Sequence, residues 1–449
     1  MRSEKIHIVG GGLVGSLAAI FLARRGFHVV LRERRPDMRR QEISAGRSIN
    51  LAVTSRGLKA LEEVGLKQAV LDMALPMKGR MLHALDGSLS FVPYGQRAGE
   101  VIHSVSRGSL NKLLLETADA CENVQLAFNR RCADVDLKTS TLSFVDEETG
   151  RHETESAEVI LGTDGAGSAV RRAMLENLRH FDYSQEFLEH GYKELEIPPA
   201  PGGGFRMDNG ALHIWPRKSY MLIALPNLDG SFTCTLFFPH EGPESFAALQ
   251  SESDVASFFA RVFPDAVPLM PTLASDFFSN PTGSMVTVKC RPWHVEQKIM
   301  LLGDAAHAIV PFFGQGMNCG FEDCSALGEL LDRRENWNWG ALFAELESRR
   351  KPNADAIADM AVENFVEMRA TVADPKFQLK KQIGFELERR YPGQFVPRYS
   401  MVVFHPEISY AEARRRSERQ DKLLEELCGG INSPEQVRWD EADRLMRKL

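Results

Sequence analysis

Nowhere in the 449 residues does an apolar run approach the ~20 residues that cross a bilayer, and from His405 to Leu449 charges recur every few positions. Cysteine is sparse. The seven, Cys121, Cys132, Cys234, Cys290, Cys319, Cys324 and Cys428, are odd in number and show no C-x-x-C, which argues against a disulfide scaffold or a zinc site. Positive charge is not in excess: 54 Lys and Arg against 61 Asp and Glu give a formal net charge of −7. With a pI of about 6.0, nucleic acid or an anionic membrane is excluded as principal partner. Runs such as Arg32 to Arg40 and Arg414 to Arg416 include or adjoin acids and read as solvated faces. No internal repeat or low-complexity tract is evident. The first predicted strand starts almost at Met1, and its following apolar helix belongs to a glycine motif, so no secretory signal is expected. The composition is that of a cytoplasmic globular protein long enough for two or three domains.

What the chain does have is three glycine-containing segments in a fixed order: GGGLVG at Gly10 to Gly15, GTDGAGSAVR at Gly162 to Arg171, and LLGDAAHAIVPFFGQGMN at Leu301 to Asn318. In the first, Lys5 to Val9 passes from alternating to apolar and Leu13 to Arg25 has helical apolar spacing, which predicts strand, tight turn and helix. Gly10, Gly12 and Gly15 fit G-x-G-x-x-G, with Leu13 and Val14 between them. Absent side chains let the backbone approach a pyrophosphate and let helix pack on strand, while the helix N-terminus faces the anion with free N–H groups. A second predicted strand, Phe27 to Arg32, ends at Glu33, followed by Arg34. Glu33 lies 18 residues beyond Gly15, placed to accept hydrogen bonds from a ribose diol. An acid there disfavours a 2′-phosphate, so the adenosine is not that of NADP.

In the third segment Asp304 follows the apolar strand Lys298 to Leu302, so its carboxylate emerges at a strand end and can hold a ribityl hydroxyl. Pro311 to Asn318 leads into a predicted helix from Asn318 to Leu331. The N–H groups around Gly316, Met317 and Asn318 suit the flavin N1–C2=O edge, where a helix N-terminus stabilises negative charge. The middle segment, Val159 to Arg171, is again strand, turn and helix, with Asp164 and Gly165 at the turn. Arg107 opens a predicted helix from Gly108 to Asp119; a cation there opposes the helix dipole, and a nearby anion would account for it. Together the three segments describe a chain wrapped around FAD.

Glycine fingerprint, DG segment and GDAAH segment in this order resemble the group A flavoprotein monooxygenases, aromatic hydroxylases in which one FAD domain serves both flavin and NAD(P)H. The resemblance implies tightly held non-covalent FAD and transient NADPH docking without a second nucleotide domain. It implies that Asp164 contributes to both nucleotide sites and that Arg107 contacts FAD. Arg47, Leu51 and Ala52 of GRSINLA are expected along the flavin. Further blocks run along nearly the whole chain: PMKGRMLH at Pro76 to His83, PYG at Pro93 to Gly95, LHIWPR at Leu212 to Arg217, IALPNLDGSFTCTLFFP at Ile223 to Pro239 and PRYSMVVF at Pro397 to Phe404. They resemble the branch of that family acting on L-kynurenine. The branch implies hydroxylation to 3-hydroxykynurenine with NADPH and O2, by way of a flavin C4a-hydroperoxide, in tryptophan degradation toward NAD or quinolinate. The cofactor carries that chemistry, so no catalytic side chain, triad or metal is called for. Some relatives have a histidine where Phe313 stands, so an essential acid is not expected there. His307 reads as a structural histidine near the pyrophosphate. Eukaryotic members carry a C-terminal hydrophobic anchor; the charged tail here leads us to expect no membrane anchor, while monomer and homodimer both stay open.

A ligand with an α-carboxylate, an α-amine, a ketone and an aminophenyl ring needs one cation, some polar donors and an apolar slot. The matching segments imply that Arg80, with Tyr94 and Tyr399, grips the carboxylate through the bidentate fork of its guanidinium. Asn364 and Glu367, at i and i+3 of VENFVEMRA, share one predicted helix face; Asn364 would join the carboxylate contacts and Glu367 would organise Arg80 or the amine. Ile223 and Leu225 on one predicted strand, and Thr235 and Phe237 on the next, each point one way and could line the ring slot, with Phe312 and Phe313 between slot and flavin. Each has a bland competitor: the strand residues could be core, and Arg80 a structural arginine.

The expected fold class is α/β. A discontinuous Rossmann-type FAD domain takes residues 1–75, 99–177 and 286–370, an antiparallel substrate sheet takes 76–98 and 178–285, and a helical C-terminal region takes 371–449. Two rivals stay open: a flavin hydroxylase of another aromatic acid, and a catalytically silent FAD-binding interaction protein.

Overall fold

A computed structural model describes residues 4–40, 50–333, 338–368 and 374–449. The fold is α/β, and the chain divides into two compact units. Unit 1 comprises Met1–Met73, Val105–Leu188 and Met285–Ala358; unit 2 comprises Ala74–Ser104, Glu189–Ser284 and Asp359–Leu449. Among the described residues no helix is long and apolar enough to cross a membrane.

Unit 1 is built on a six-stranded sheet in the order His294–Val295, Ile299–Leu301, Val159–Gly162, Lys5–Val9, His28–Arg32, Val124–Ala127. All pairings are parallel except that of the short His294–Val295 edge. Near-continuous apolar strands are what a parallel sheet covered on both faces requires, and Val159–Gly162 is buried throughout. Every residue of the helix Leu13–Ala23 except Val14 is buried. It packs against the helices Arg107–Asp119 and Gly316–Asp332, and Gly320 and Gly328 permit the second contact, since a Cβ there would strike Val14 and Phe21. A separate antiparallel sheet joins Arg130–Asp136, Thr141–Asp146 and His152–Ser156.

In unit 2 the strands Asp182–Ile197, Phe232–Pro239, Tyr220–Pro226, Ala211–Arg217, Gly79–His83 and Leu89–Pro93 are neighbours in that order. The turn at Pro226 to Gly230 closes a hairpin, with Gly230 at φ +88°. One sheet face, carrying Trp215, Leu222, Ala224, Cys234 and Leu236, forms a core with Val255, Phe258, Phe259 and Phe263 of or just after the helix Glu252–Val262 and with Phe277 of Leu273–Ser279. The helices Pro375–Arg390, Tyr410–Leu427 and Trp439–Met446 share a second core around Ile383, Leu387, Leu423 and Ala442.

Some boundaries differ from those predicted. The first helix ends at Ala23 rather than Arg25, because Gly26 turns the chain with φ +83°. The helix expected from Asn318 starts at Gly316, so Asn318 lies inside its first turn. The helix Arg107–Asp119 starts at Arg107 behind a Ser106 cap that accepts from the Ser109 N–H. Within the C-terminal region expected to be helical, the helix is interrupted at Val437, whose backbone is extended; a short turn Pro434–Gln436 precedes the helix Trp439–Met446.

Candidate functional site

Around the first glycine motif each glycine has its own reason. Gly10 adopts φ +105°, a conformation that favours glycine, and a Cβ there would lie 2.6 Å from the Thr163 carbonyl oxygen. At Gly15 a Cβ would fall 2.0 Å from the Gly10 carbonyl oxygen, so this is the close approach of helix and strand. At Gly12 a Cβ would meet nothing within 4 Å. The backbone at the N-terminus of Leu13–Ala23 therefore borders open space, the cradle a pyrophosphate needs. Leu13 is buried and Val14 half-buried behind it.

Glu33 is buried at the end of His28–Arg32. It accepts from the Gly11 N–H at 2.7 Å and from Arg35 Nε at 2.8 Å. Arg35 is thus the arginine that braces the acid, while Arg34 is exposed; the sequence alone does not separate two adjacent arginines. Asp304 begins the helix Asp304–His307 and is exposed, whereas Arg107 is exposed at its helix start and has no acidic partner among the described residues. Asp164 accepts from Ser168 Oγ and from the Ala169 N–H at 2.6 Å, closing the N-terminus of the helix Ala169–Asn177. Burial pushes its carboxyl up from the usual range, against the pull of those hydrogen bonds.

Leu51 and Ala52 form the half-buried strand Leu51–Val53; Arg47 lies outside the described residues. Asn318 ties that strand to the helix Gly316–Asp332: its Nδ2 donates to the carbonyls of Ala52 at 2.9 Å and Gly314 at 2.8 Å, and its Oδ1 accepts from the Thr54 N–H at 3.0 Å. With its amide engaged inside the protein, Asn318 has only its backbone to offer a cofactor. Gly316 and Met317 stay half-buried at the helix start.

Beneath this turn lies a charged network that sequence reasoning did not identify. Asp323 accepts from the Gly303 N–H at 2.9 Å and from Arg350 Nε at 2.7 Å, and its carboxylate lies 2.7 Å from His307 Nε2. Arg350 and Arg56 both pair with Glu322. Despite burial, Asp323 and Cys319 hold the His307 imidazolium well above its usual range. Likewise, against burial, His307 and Arg350 draw the Asp323 carboxyl down to about 2. His307 is accordingly an ion-paired core residue that fixes the turn bearing Asp304. The signal available was the position of Asp323 on the buried face of its helix, seven residues after Gly316.

In unit 2 the strand register gathers residues far apart in sequence. Arg80 pairs with Leu212, Ile214 with Ile223, and Ile223 with Thr235, while Met221 pairs with Phe237. Paired residues and those two apart share a face, so Arg80, Ile223, Leu225, Thr235 and Phe237 all project from the face opposite the core formed with the Glu252–Val262 helix. Leu225, Thr235 and Phe237 are buried and Ile223 half-buried; Thr235 Oγ1 has no hydrogen-bond partner among the described residues.

At one end of this face Arg80 is buried, its guanidinium carbon 5.0 Å from the ring centre of Tyr399 and 5.7 Å from that of Tyr94. The two tyrosines stack at 5.1 Å and 10°. Neither Arg80 Nε nor the Tyr94 hydroxyl has a well-formed hydrogen bond among the described residues. Unmatched buried donors beside a buried cation mark a place where an anion would be welcome. Burial raises the Glu367 carboxyl, with Arg80 pulling the other way. Asn364 is buried near the end of the helix Trp339–Val366, and Glu367 follows in a π-helical turn, a feature frequent at functional sites. Lys381, on Pro375–Arg390, donates from Nζ to the Pro93 carbonyl at 3.1 Å, one residue before Tyr94; no motif pointed to it. Phe312 and Phe313 belong to unit 1, buried in the turn Pro311–Phe313.

A glycine cradle, a ribose-type acid at a strand end and a helix N-terminus beside an exposed aspartate define the class as an FAD-binding protein, and the family model described as "FAD binding domain" matches residues 3–361. Curated relatives named kynurenine 3-monooxygenase match almost end to end. That of Myxococcus xanthus is 51% identical over 99% of this chain and 95% of its own. That of Dictyostelium discoideum is 44% identical over 100% of this chain and 98% of its own. The chain belongs to the kynurenine 3-monooxygenase family of FAD-dependent monooxygenases. Among solved structures, 2-methyl-3-hydroxypyridine-5-carboxylic acid oxygenase is similar in fold with a TM-score of 0.67 at 21% identity, covering 84% of this chain and 95% of that one. P. aeruginosa PqsL in complex with 2-aminobenzoylacetate gives 0.65 at 21%, covering 82% and 96%.

Proposed function

We propose that this protein hydroxylates L-kynurenine to 3-hydroxykynurenine in the cytoplasm, using NADPH and O2. The observation that carries the reading is the buried Arg80 guanidinium, with an unmatched Nε, beside the stacked Tyr94 and Tyr399. Such a cluster suits the α-carboxylate of an amino acid: the guanidinium supplies charge and a planar fork, and the hydroxyls supply directed donors. Glu367 suits the α-ammonium. The sheet face from Arg80 through Ile223, Leu225, Thr235 and Phe237 then offers an apolar surface for the aminophenyl ring, with the Thr235 hydroxyl as a polar contact.

In unit 1 the open space at Gly12 and the helix N-terminus beside it suit the pyrophosphate, Glu33 a ribose and Asp304 the ribityl chain. The N-terminus at Gly316 and Met317 suits the anionic edge of the flavin. Bound FAD supplies reduction by NADPH and activation of O2. The work of the side chains is to bind and orient: Arg80 and the tyrosines fix one end of the substrate, and the buried apolar face excludes water from the ring.

The test is NADPH oxidation by the FAD-loaded protein with and without L-kynurenine, followed by chromatography. Stimulated oxidation with stoichiometric 3-hydroxykynurenine is the expected result. No stimulation by kynurenine would overturn the reading in favour of another aromatic acid.

A further inference from the structure

We propose that Glu388, in the last turn of the helix Pro375–Arg390, is a positioning residue of the carboxylate site: by holding the turn that follows Tyr94, it fixes where the Tyr94 hydroxyl is presented. This rests on the reading of Arg80, Tyr94 and Tyr399 as the carboxylate anchor.

A carboxylate in the last turn of a helix opposes the dipole, and Glu388 is also buried, so its place calls for donors from another part of the chain. The arginines beside it, Arg389 and Arg390, pair with Glu386 instead. Its donors come from the turn after the strand Leu89–Pro93. Gln96 Nε2 donates to Glu388 Oε2 at 2.8 Å and to the Phe385 carbonyl at 2.9 Å, and Arg97 Nη1 lies 3.2 Å from Glu388 Oε1.

A second buried carboxylate closes that turn on itself. Glu100 accepts from the N–H groups of Gln96 at 2.7 Å and Arg97 at 3.0 Å, and from Arg97 Nη1 at 2.6 Å. A Cβ at Gly95 would fall 2.1 Å from Glu100 Oε2, so the chain packs tightly on this carboxylate immediately after Tyr94. Glu100 thus makes the turn a rigid piece, and Glu388 ties that piece to the helix. Before the turn, the Tyr94 N–H donates to the Lys78 carbonyl at 3.0 Å. The Tyr94 hydroxyl makes no well-formed hydrogen bond among the described residues, so its direction is set by packing and by the backbone that carries it. Gln96 is two positions further on, and tilting the turn moves the Tyr94 ring against Tyr399, on which it stacks at 5.1 Å, and against the Arg80 guanidinium at 5.7 Å.

The experiment measures the dissociation constant of the FAD-loaded protein for L-kynurenine by perturbation of the flavin absorbance, and repeats it with the analogue whose carboxylate is replaced by hydrogen. Glu388→Ala, Glu388→Gln and Gln96→Ala are each made in the wild-type and Tyr94→Phe backgrounds. A directed hydroxyl hydrogen bond is worth about three- to tenfold in affinity. Glu388→Ala and Gln96→Ala should each weaken kynurenine by about that factor, with FAD content normal. Glu388→Gln keeps an acceptor for Gln96 and should stay within about twofold of wild type. In Tyr94→Phe, which has already lost the hydroxyl, either alanine should cost less than about twofold, and the analogue should bind wild type and variants alike. Equal weakening in both backgrounds and for both ligands is what a merely structural role produces, and it overturns the assignment while leaving Arg80 and Tyr94 in the site. Should Glu388→Ala not fold, Gln96, which is exposed, carries the same test; wild-type affinity in Gln96→Ala overturns the assignment. Failure of the wild type to bind kynurenine, or unchanged affinity in Tyr94→Phe, overturns the proposed carboxylate site and the assignment with it.

Discussion

Gly12→Ala and Gly15→Ala add the same methyl group three residues apart, yet they should fail in opposite ways. At Gly15 the new Cβ would lie 2.0 Å from the Gly10 carbonyl oxygen and 2.5 Å from Thr163 Oγ1. Both neighbours are held, since Thr163 Oγ1 donates to that same carbonyl at 2.8 Å. Backbone must move by on the order of 1 Å, an overpacking cost of about 1–3 kcal/mol. The strained hydrogen bond adds roughly 0.5–1.5 kcal/mol, and the entropic gain of alanine over glycine returns about 0.4–1 kcal/mol. Net destabilisation should therefore be about 0.5–4 kcal/mol in the FAD-free protein. Gly12 has φ −73°, which alanine adopts freely, and nothing lies within 4 Å of the added atom. Its FAD-free stability should stay within about 0.5 kcal/mol of wild type, while the methyl group occupies the pyrophosphate cradle and weakens FAD about 10- to 100-fold, or about 1.4–2.7 kcal/mol. Urea midpoints of the FAD-stripped proteins and fluorescence titrations with FAD separate the two. A wild-type midpoint for Gly15→Ala, or wild-type FAD affinity for Gly12→Ala, would refute the division of labour between these glycines.

Removing the Arg80 side chain, as Arg80→Ala, should raise the dissociation constant for kynurenine by about 2–5 kcal/mol and leave FAD content normal; lost flavin or unchanged affinity in equilibrium titration would count against the carboxylate anchor. Tyr399→Phe should raise the apparent KM through a lost hydrogen bond worth about 0.5–1.5 kcal/mol, and steady-state kinetics identical to wild type would remove that hydroxyl from the site. His307 is raised well above its ordinary value of 6.5. Its pairing with Asp323 thus contributes fully below that unfolded value and is lost as pH rises through the folded one. Wild-type stability should fall above pH ~6.5 with a limiting slope of about 1.4 kcal/mol per pH unit from this group. In His307→Asn the slope should be shallower, and equal slopes in urea titrations from pH 6.5 to 8.5 would show that the pair does not titrate as the geometry requires.

The parallel sheet was legible because its signals are local. Lys5 to Val9, the glycine turn and the following helix lie within 25 residues, and apolar period, missing side chains and a terminal acid speak for one another. Less was legible where tertiary contacts choose between neighbours. Both Arg34 and Arg35 follow the strand, and only the fold shows that Arg35 braces Glu33. For Asn318 the sequence suggests only a backbone N–H at a helix start; that its side-chain amide ties Ala52, Gly314 and Thr54 together depends on contacts distant in sequence. In the sheet of unit 2, alternation allowed Ile223 and Leu225, and separately Thr235 and Phe237, to share a face. It could not join the pairs to each other or to Arg80, because register between distant strands is set by pairings that no local pattern encodes.

The charged residues show the same division more sharply. Arg350 and Lys381 sit on helices whose sequences carry many charges, and no spacing rule distinguishes them from their neighbours, whereas Asp323 is marked only by its place on the buried face of its helix. What singles them out is which charges they meet. Asp323 faces two cations and a backbone N–H, so it is held ionised and stabilises the turn carrying Asp304. Arg80 is buried with an Nε that has no hydrogen-bond partner among the described residues, beside a Glu367 carboxyl that burial raises. A fully matched buried network fixes geometry, whereas one short of negative charge is poised to accept an anion. The first kind lies beneath the turn carrying Asp304, and the second, around Arg80, is the one on which the proposed carboxylate site rests.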